Sequence, residues 1–185
     1  SGRFPSSSGS SAAEKNWRRR IASRRGMWDR RAMPDLRIEP ATVDDLSELA
    51  DLLGDLFSQE ADFTPDREKQ IRGLRLILEQ PSRGRIFVMR NDRMIVGMIN
   101  LLITISTAEG GFVLMLEDLV IHRDHRGHRL GVKLLEHAIA FAREKKFLRI
   151  TLLTDPGEKS AGFYRRHGFV DSTLHPMRYL LSADE

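Results

Sequence analysis

The residue types best suited to chemistry crowd into one stretch, Leu116 to Ala142, which reads LEDLVIHRDHRGHRLGVKLLEHAIAFA. An apolar run ends at Ile121, a short basic loop follows, and Gly127 and Gly131 stand at the start of a long helical pattern. The first turn of a helix carries unbonded backbone N–H groups and the positive end of the helix dipole. Glycines there let the backbone approach a ligand with no Cβ in the way. Arg123, Arg126 and Arg129 add positive charge. Such a combination suits a pyrophosphate. A glycine turn with solvated arginines is the plain alternative. The sequence contains no Walker A loop and no three-glycine Rossmann fingerprint.

Three further groups of residues bear on chemistry. Glu117 and Asp118 sit side by side in the apolar run, where a carboxylate is costly to bury without a partner or a task. Successive strand side chains face opposite ways, so only one of the two points into a given face unless a bulge intervenes. His122, His125 and His128 recur at every third position, each followed by an arginine. A metal ion among those arginines would be a cation among cations, so no metal site is assigned. Residues 38–66 contain nine acids and no Lys or Arg, with Asp44, Glu48, Asp51 and Asp55 on one helical stripe. That stripe is either a solvated face or a wall attracting a cationic amine. No G-x-S-x-G or H-E-x-x-H occurs, so hydrolase and zincin chemistry has no support.

The elements that must position these residues follow from periodicity. Leu36–Pro40 reads as a strand ended by proline. Thr42 and Asp45 form a capping-box pattern ahead of Leu46, Leu49, Leu53, Leu56 and Phe57 at helical spacing. A second helix is predicted over Asp66–Glu79, then strands over Arg85–Arg90, Met94–Ile105 and Phe112–Ile121. A strong helix follows from Leu130 to Ala142, then a buried strand over Arg149–Leu153 and a short helix over Lys159–Arg166. Gly168-Phe169-Val170 reads as the start of a last strand or hairpin. Helices between strands argue for an α/β (α+β) domain built around a mixed sheet.

Composition narrows the class. Of 185 residues, 41% are apolar and 30% charged, as in soluble globular chains, and there is no cysteine. Disulfides, thiol nucleophiles and thiolate metal sites are thereby excluded, and a reducing, cytoplasmic setting fits. Apolar runs fall well short of the ~20 residues that span a bilayer, so no membrane partner is expected. The net charge of +4 is unevenly placed: residues 1–33 hold nine Lys/Arg against two acids, while residues 34–185 hold twenty-one against twenty-four. Residues 1–33 are accordingly read as a disordered basic extension or tag, and residues 34–185 as the domain. Trp17 and Trp28 among the tail arginines raise nucleic acid as a partner, but the less favoured one.

Arg126-Gly127-His128-Arg129-Leu130-Gly131 resembles the Arg/Gln-x-x-Gly-x-Gly/Ala signature with which GNAT-type N-acetyltransferases bind acetyl-CoA after their fourth strand. Arg129 stands where the family's middle glycine falls. Downstream, Ser160–Phe169 (SAGFYRRHGF) is similar to the A-x-x-F-Y-x-x-x-G-F segment that closes that site. The opening LRIEPATVDDLSELADLL is similar to the family's first strand and helix, so the likeness runs over about residues 35–181.

The resemblance implies a GNAT-like mixed central sheet of about six or seven strands flanked by about four helices, with strands 4 and 5 splayed. It implies an acetyl-CoA-dependent N-acetyltransferase in which an amine attacks directly in a ternary complex. The backbone of Leu119, Val120 and Ile121 would hold the pantetheine, and the N–H groups of Arg126, Gly127, His128, Arg129, Leu130, Gly131 and Val132 the pyrophosphate. Tyr164 matches the tyrosine that donates to the leaving sulfur. The string LED is similar to that of diamine acetyltransferases, which implies Glu117 as base, with Asp118 or water as alternatives. The acceptor would be a primary amine of a small molecule or peptide, a cationic one among the candidates. A homodimer stays open, and no metal is required. A non-catalytic acyl-CoA-sensing or nucleic-acid-associated module is the alternative function.

Overall fold

A computed structural model describes residues 36–58, 65–155, 158–179 and 181. Residues 1–33, with both tryptophans, lie outside the described residues. Strands β1 (Leu36–Pro40), β2 (Gly84–Asn91), β3 (Met94–Ser106), β4 (Gly111–Ile121) and β5 (Ile150–Leu152) form one sheet in sequential order. The first four pair antiparallel and β4 pairs parallel with β5. A parallel pair needs a crossover, and helix α3 (Leu130–Glu144) supplies it. Helices α1 (Leu46–Phe57) and α2 (Arg67–Leu78) lie between β1 and β2 in sequence, and α4 (Glu158–Arg165) follows β5.

Local signals set the boundaries. The Asp45 carboxylate accepts from the Thr42 N–H at 2.8 Å, the capping contact read from the sequence, at a 3₁₀ turn leading into α1. The Asp66 side chain accepts from the N–H groups of Glu68 and Lys69 and so starts α2. Both faces of the sheet are covered. Ile86, Val88, Ile95, Met98 and Val120 pack with α1 and α2, while Phe87, Met89, Ile99, Leu114 and Leu116 pack with Leu130, Leu134, Leu135 and Ala138 of α3. Burial on both faces is why β2 and β3 read as apolar runs rather than alternations. Among the described residues no helix is long and apolar enough to cross a membrane.

Two bulges decide which way side chains face. Asn100 pairs with Asp118 but Leu101 pairs with Leu116, so Glu117 is an extra residue in β4. Before it, Leu114 and Leu116 face α3; after it, Leu119 and Ile121 do, while Val120 joins the opposite core. The face pattern therefore changes phase at Glu117. A similar shift leaves Val96 extra in β3. Beside it the Ile95 N–H donates to the Glu48 carboxylate of α1 at 3.2 Å.

The five strands among the described residues are fewer than the six or seven expected. Gly168, at φ +89°, turns the chain after α4, and the segment beyond it pairs with no described strand. Its apolar side chains stand in solvent, Val170 at 91% exposure and Met177 at 95%. The strand over 149–153 shortens to β5 and is half-buried, because its outer edge carries no described partner strand.

Arg90 ties the first strand to the first turn. Its guanidinium bonds Glu39 of β1 and reaches the Asp45 carboxylate at 2.7 Å, where Asp45 is buried. These two carboxylates hold Arg90 above its ordinary pKa despite its desolvation. Removing it leaves a buried carboxylate without that cation. Arg90→Ala is expected to lower unfolding free energy by about 2–4 kcal/mol, read from urea denaturation.

Candidate active site

The end of β4 and the start of α3 are joined by a tight turn. The His122 N–H still donates to Val96 of β3 at 2.9 Å, and a 3₁₀ turn follows over Arg123–His125. The Arg126 side chain folds back, its Nε donating to the Ile121 carbonyl at 2.9 Å. Gly127 takes φ +83°, and Arg129 takes φ 59° at the N-cap of α3. A left-handed conformation costs a non-glycine residue about 1–2 kcal/mol. It falls where the family signature has its middle glycine, so Arg129 keeps the backbone path and adds a guanidinium.

No side chain caps α3, and its first turn holds no acid. The helix N-terminus is thus left for an anion. An open groove of about 200 Å³ lies over it. Arg126, Gly127, Arg129, Leu130, Gly131 and Val132 line it, together with Ile121 from β4. His128 is the one residue expected in this run that does not. His125 and Phe163 line it too and were not among the expected binding residues. A Cβ at Gly127 would meet nothing within 4 Å, so the main chain there is open to a ligand. The cradle therefore fits the diphosphate of a nucleotide-type co-substrate.

Above the groove β4 is half open. β5 pairs only with Leu114, Met115 and Leu116 and then diverges. In an antiparallel pair the N–H and C=O of one residue point to the same side, and the side alternates. The bond from His122 to Val96 sets that alternation, which turns the polar groups of Val120 toward β3 and those of Leu119 and Ile121 toward the gap left by β5. Leu119 and Ile121 are thus placed to pair with an extended ligand, the Ile121 carbonyl being shared with Arg126. Val120 instead contributes its side chain to the core over α1 and α2.

The catalytic candidates fall beside this gap. Glu117 is exposed at the bulge. Asp118 is buried and accepts a 2.9 Å hydrogen bond from Nδ2 of Asn100 on β3. Asn100 was missed in the sequence, although a lone amide inside the apolar run Ile95–Ile105 was the available signal. Its Oδ1 is buried with no hydrogen-bond partner. Tyr164 of α4 is half-buried, edge-on to Phe163 at 5.1 Å and to Phe169 at 5.6 Å. Burial, with the Asp118 charge adding to it, pushes its phenol up to about 12. Tyr164 and Asp118 therefore feel one another across the site.

The acidic stripe on α1 is largely engaged. Besides Glu48, Asp51 pairs with Arg67 at 3.2 Å, and Asp55 lies 3.8 Å from Arg123 in the turn after β4. The last contact joins the acidic helix to the turn that leads into α3. The His122 and His125 rings lie 5.6 Å apart between centres, tilted by 60° to one another. Among the described residues no group of three or more His, Asp or Glu could hold a metal ion.

Burial lowers the pKa of His122, His125 and His137 below the ordinary 6.5. The unfolded chain therefore binds protons more readily than the folded one. Stability from these neutral imidazoles is complete above pH 6.5 and declines as pH falls below it. Melting temperature is expected to fall from pH 7.5 to pH 5.5, and less steeply in His122→Gln.

The profile of the Acetyltransferase (GNAT) family matches residues 46–169. Among curated protein sequences none matches the chain. A possible acetyltransferase from Clostridium difficile 630 superposes with a TM-score of 0.72 at 16% identity, covering 79% of this chain and 97% of its own. A transcriptional regulator from Bacillus halodurans C-125 gives 0.68 at 24% identity, covering 80% and 100%. An aminoglycoside acetyltransferase from an uncultured soil metagenomic sample, solved with sisomicin, gives 0.64 at 22% identity, covering 80% and 97%. At these identities the three structures establish a shared fold. The matched span begins at α1 and ends at Phe169 beside Tyr164, so it takes in the bulged β4, the glycine turn and the closing helix, and on that match the chain belongs to the Acetyltransferase (GNAT) family.

Proposed function

We propose that the protein is an acetyl-CoA-dependent N-acetyltransferase acting on a primary amine. The observation that carries this reading is the open groove over the uncapped N-terminus of α3, beside the half of β4 that β5 leaves unpaired. Acetyl-CoA would supply an activated thioester. The backbone around Gly127 to Val132 and the guanidinium of Arg129 would hold its diphosphate, and the polar groups that Leu119 and Ile121 turn away from β3 would align its extended arm. Positioning of this kind removes a large share of the barrier to acyl transfer.

Glu117 is the proposed base. It is exposed at the bulge, where water or an acceptor ammonium can reach it. Asp118, held by Asn100, supplies fixed negative charge beside Tyr164. Tyr164 keeps its proton across the working pH range and donates to the leaving sulfur. The acceptor class is proposed as cationic amines, with an aminoglycoside among them because one structural relative is an aminoglycoside acetyltransferase. The absence of cysteine suits action in the cytoplasm.

Titration calorimetry with acetyl-CoA and CoA tests the first claim. Saturable micromolar binding is expected, and its absence removes the reading. Thiol release across polyamines, aminoglycosides, amino acids and peptides then identifies the acceptor. Binding without turnover on any amine would favour a sensing role. Glu117→Gln is expected to shift the acidic limb of the pH–rate profile; an unchanged limb moves the role to Asp118 or water.

A further inference from the structure

The wall of the groove over α3 carries an imidazole as well as guanidinium groups. His125 lines it at the end of the 3₁₀ turn, half-buried, together with Arg126 and Arg129. The backbone fixes where it stands: the His125 N–H donates to the His122 carbonyl at 2.8 Å. Unlike the guanidinium groups, an imidazole changes its charge near neutral pH.

Of the two neighbouring imidazoles, His122 is held neutral by its surroundings. It is buried, and its Nδ1 accepts the Asp124 N–H at 3.3 Å. A doubly protonated ring has no acceptor nitrogen, so charging His122 would set N–H against N–H. His125 instead opens on the groove, where an anion can reach it. In the free chain burial, and after it His122, lowers the His125 pKa below the ordinary 6.5; Asp124 acts the other way, and His128 lowers it again. Elements packed against this turn bring Asp55 of α1, 3.8 Å from Arg123, and Phe163 of α4, whose ring has His167 at 4.8 Å. The first turn of α3 brings no acid. A negative ligand in the groove thus meets fixed cations and one neutral ring able to accept a proton.

We propose that His125 is a binding residue for the diphosphate of the co-substrate and takes a proton from solvent as that diphosphate enters the groove, a role that rests on the acetyl-CoA reading of the site. The ligand's charge favours the imidazolium, so the His125 pKa is higher in the complex than in the free chain. Affinity therefore rises as pH falls, and levels off below the free chain's value. A rise of about one in pKa, the lower end of what an adjacent opposite charge produces, tightens binding about fivefold from pH 8 to pH 6.

Calorimetric titration with 3′-dephospho-CoA tests this, because its diphosphate stays ionised over that range. Repeating the titration at pH 7 in buffers of different ionisation enthalpy counts the protons taken up. The parent chain is expected to take up about half a proton per ligand. His125→Gln is expected to take up almost none and to bind with an affinity flat from pH 6 to pH 8. His125→Lys keeps its charge throughout, so it is expected to bind more tightly than the parent at pH 8, again with no uptake. Parent binding without proton uptake overturns the proposal, needs no variant to be read, and leaves the co-substrate reading standing. Uptake that persists in His125→Gln overturns it as well. If acetyl-CoA itself shows no saturable binding to the parent chain, both fall.

Discussion

Gly131→Trp is expected to weaken acetyl-CoA binding about a thousandfold, the equivalent of losing roughly 4 kcal/mol of contact, while the melting temperature stays within a few degrees. The asymmetry follows from where the new atoms go. A Cβ at Gly131 meets Ile121 at 3.8 Å and Phe163 at 3.9 Å, ordinary contact distances, and the helix backbone needs no left-handed angle there. An indole grown from that point enters the groove bounded by those two side chains. The groove of about 200 Å³ is comparable to the indole itself, so little room remains for a diphosphate. Calorimetry beside differential scanning measures both quantities on one sample. Retained binding would place the co-substrate elsewhere and detach the function from the helix N-terminus.

Tyr164→Phe is expected to separate chemistry from binding. Turnover falls by about 10²–10³, the usual cost of losing a positioned acid, while the dissociation constant for acetyl-CoA changes less than twofold. Tyr164 does not line the groove, and phenylalanine keeps the edge-on packing against Phe163 and Phe169. The ionisation of this phenol gives a second signature. Its pKa, raised from 10.0 to about 12, means the folded chain holds the proton more tightly than the unfolded one. The resulting stability is complete below pH 10 and is lost as pH rises toward about 12. The phenylalanine variant lacks that alkaline loss. Equal turnover in the two proteins would leave Tyr164 a packing residue.

Much of this arrangement was legible in the residues, for physical reasons that can be named. Asp66, Thr42 and Asp45 act through their nearest neighbours, so the starts of α1 and α2 could be read locally. The glycine turn and the start of α3 were also readable, because glycines before a helical pattern act through backbone groups of the same segment. Asn100 was not, since its importance lies in a residue eighteen positions away on another strand. The bulge at Glu117 is of the same kind. It resolves which of two adjacent acids is exposed, yet it exists only in the pairing of β3 with β4. The last strand or hairpin read from Gly168-Phe169-Val170 does not form among the described residues, since three residues after a turn carry no information about which strand they would pair with.

The contrast between the hairpin-built part of the sheet and its one parallel pair reaches into how the protein acquires and keeps its site. Strands β1 through β4 meet antiparallel neighbours, and β2, β3 and β4 close through short turns. β5 reaches β4 only after the whole stretch 122–149 has been laid across the sheet. Ring closure over such a span has a higher entropic barrier than a hairpin. The seam it seals, three residue pairs long, borders the gap where β4 runs on beyond β5. Amide hydrogens of β5 should therefore exchange with solvent well before those of β3, and the proposed acyl donor, on binding in the gap, should slow that exchange locally, so that the ligand completes what the short seam leaves loose.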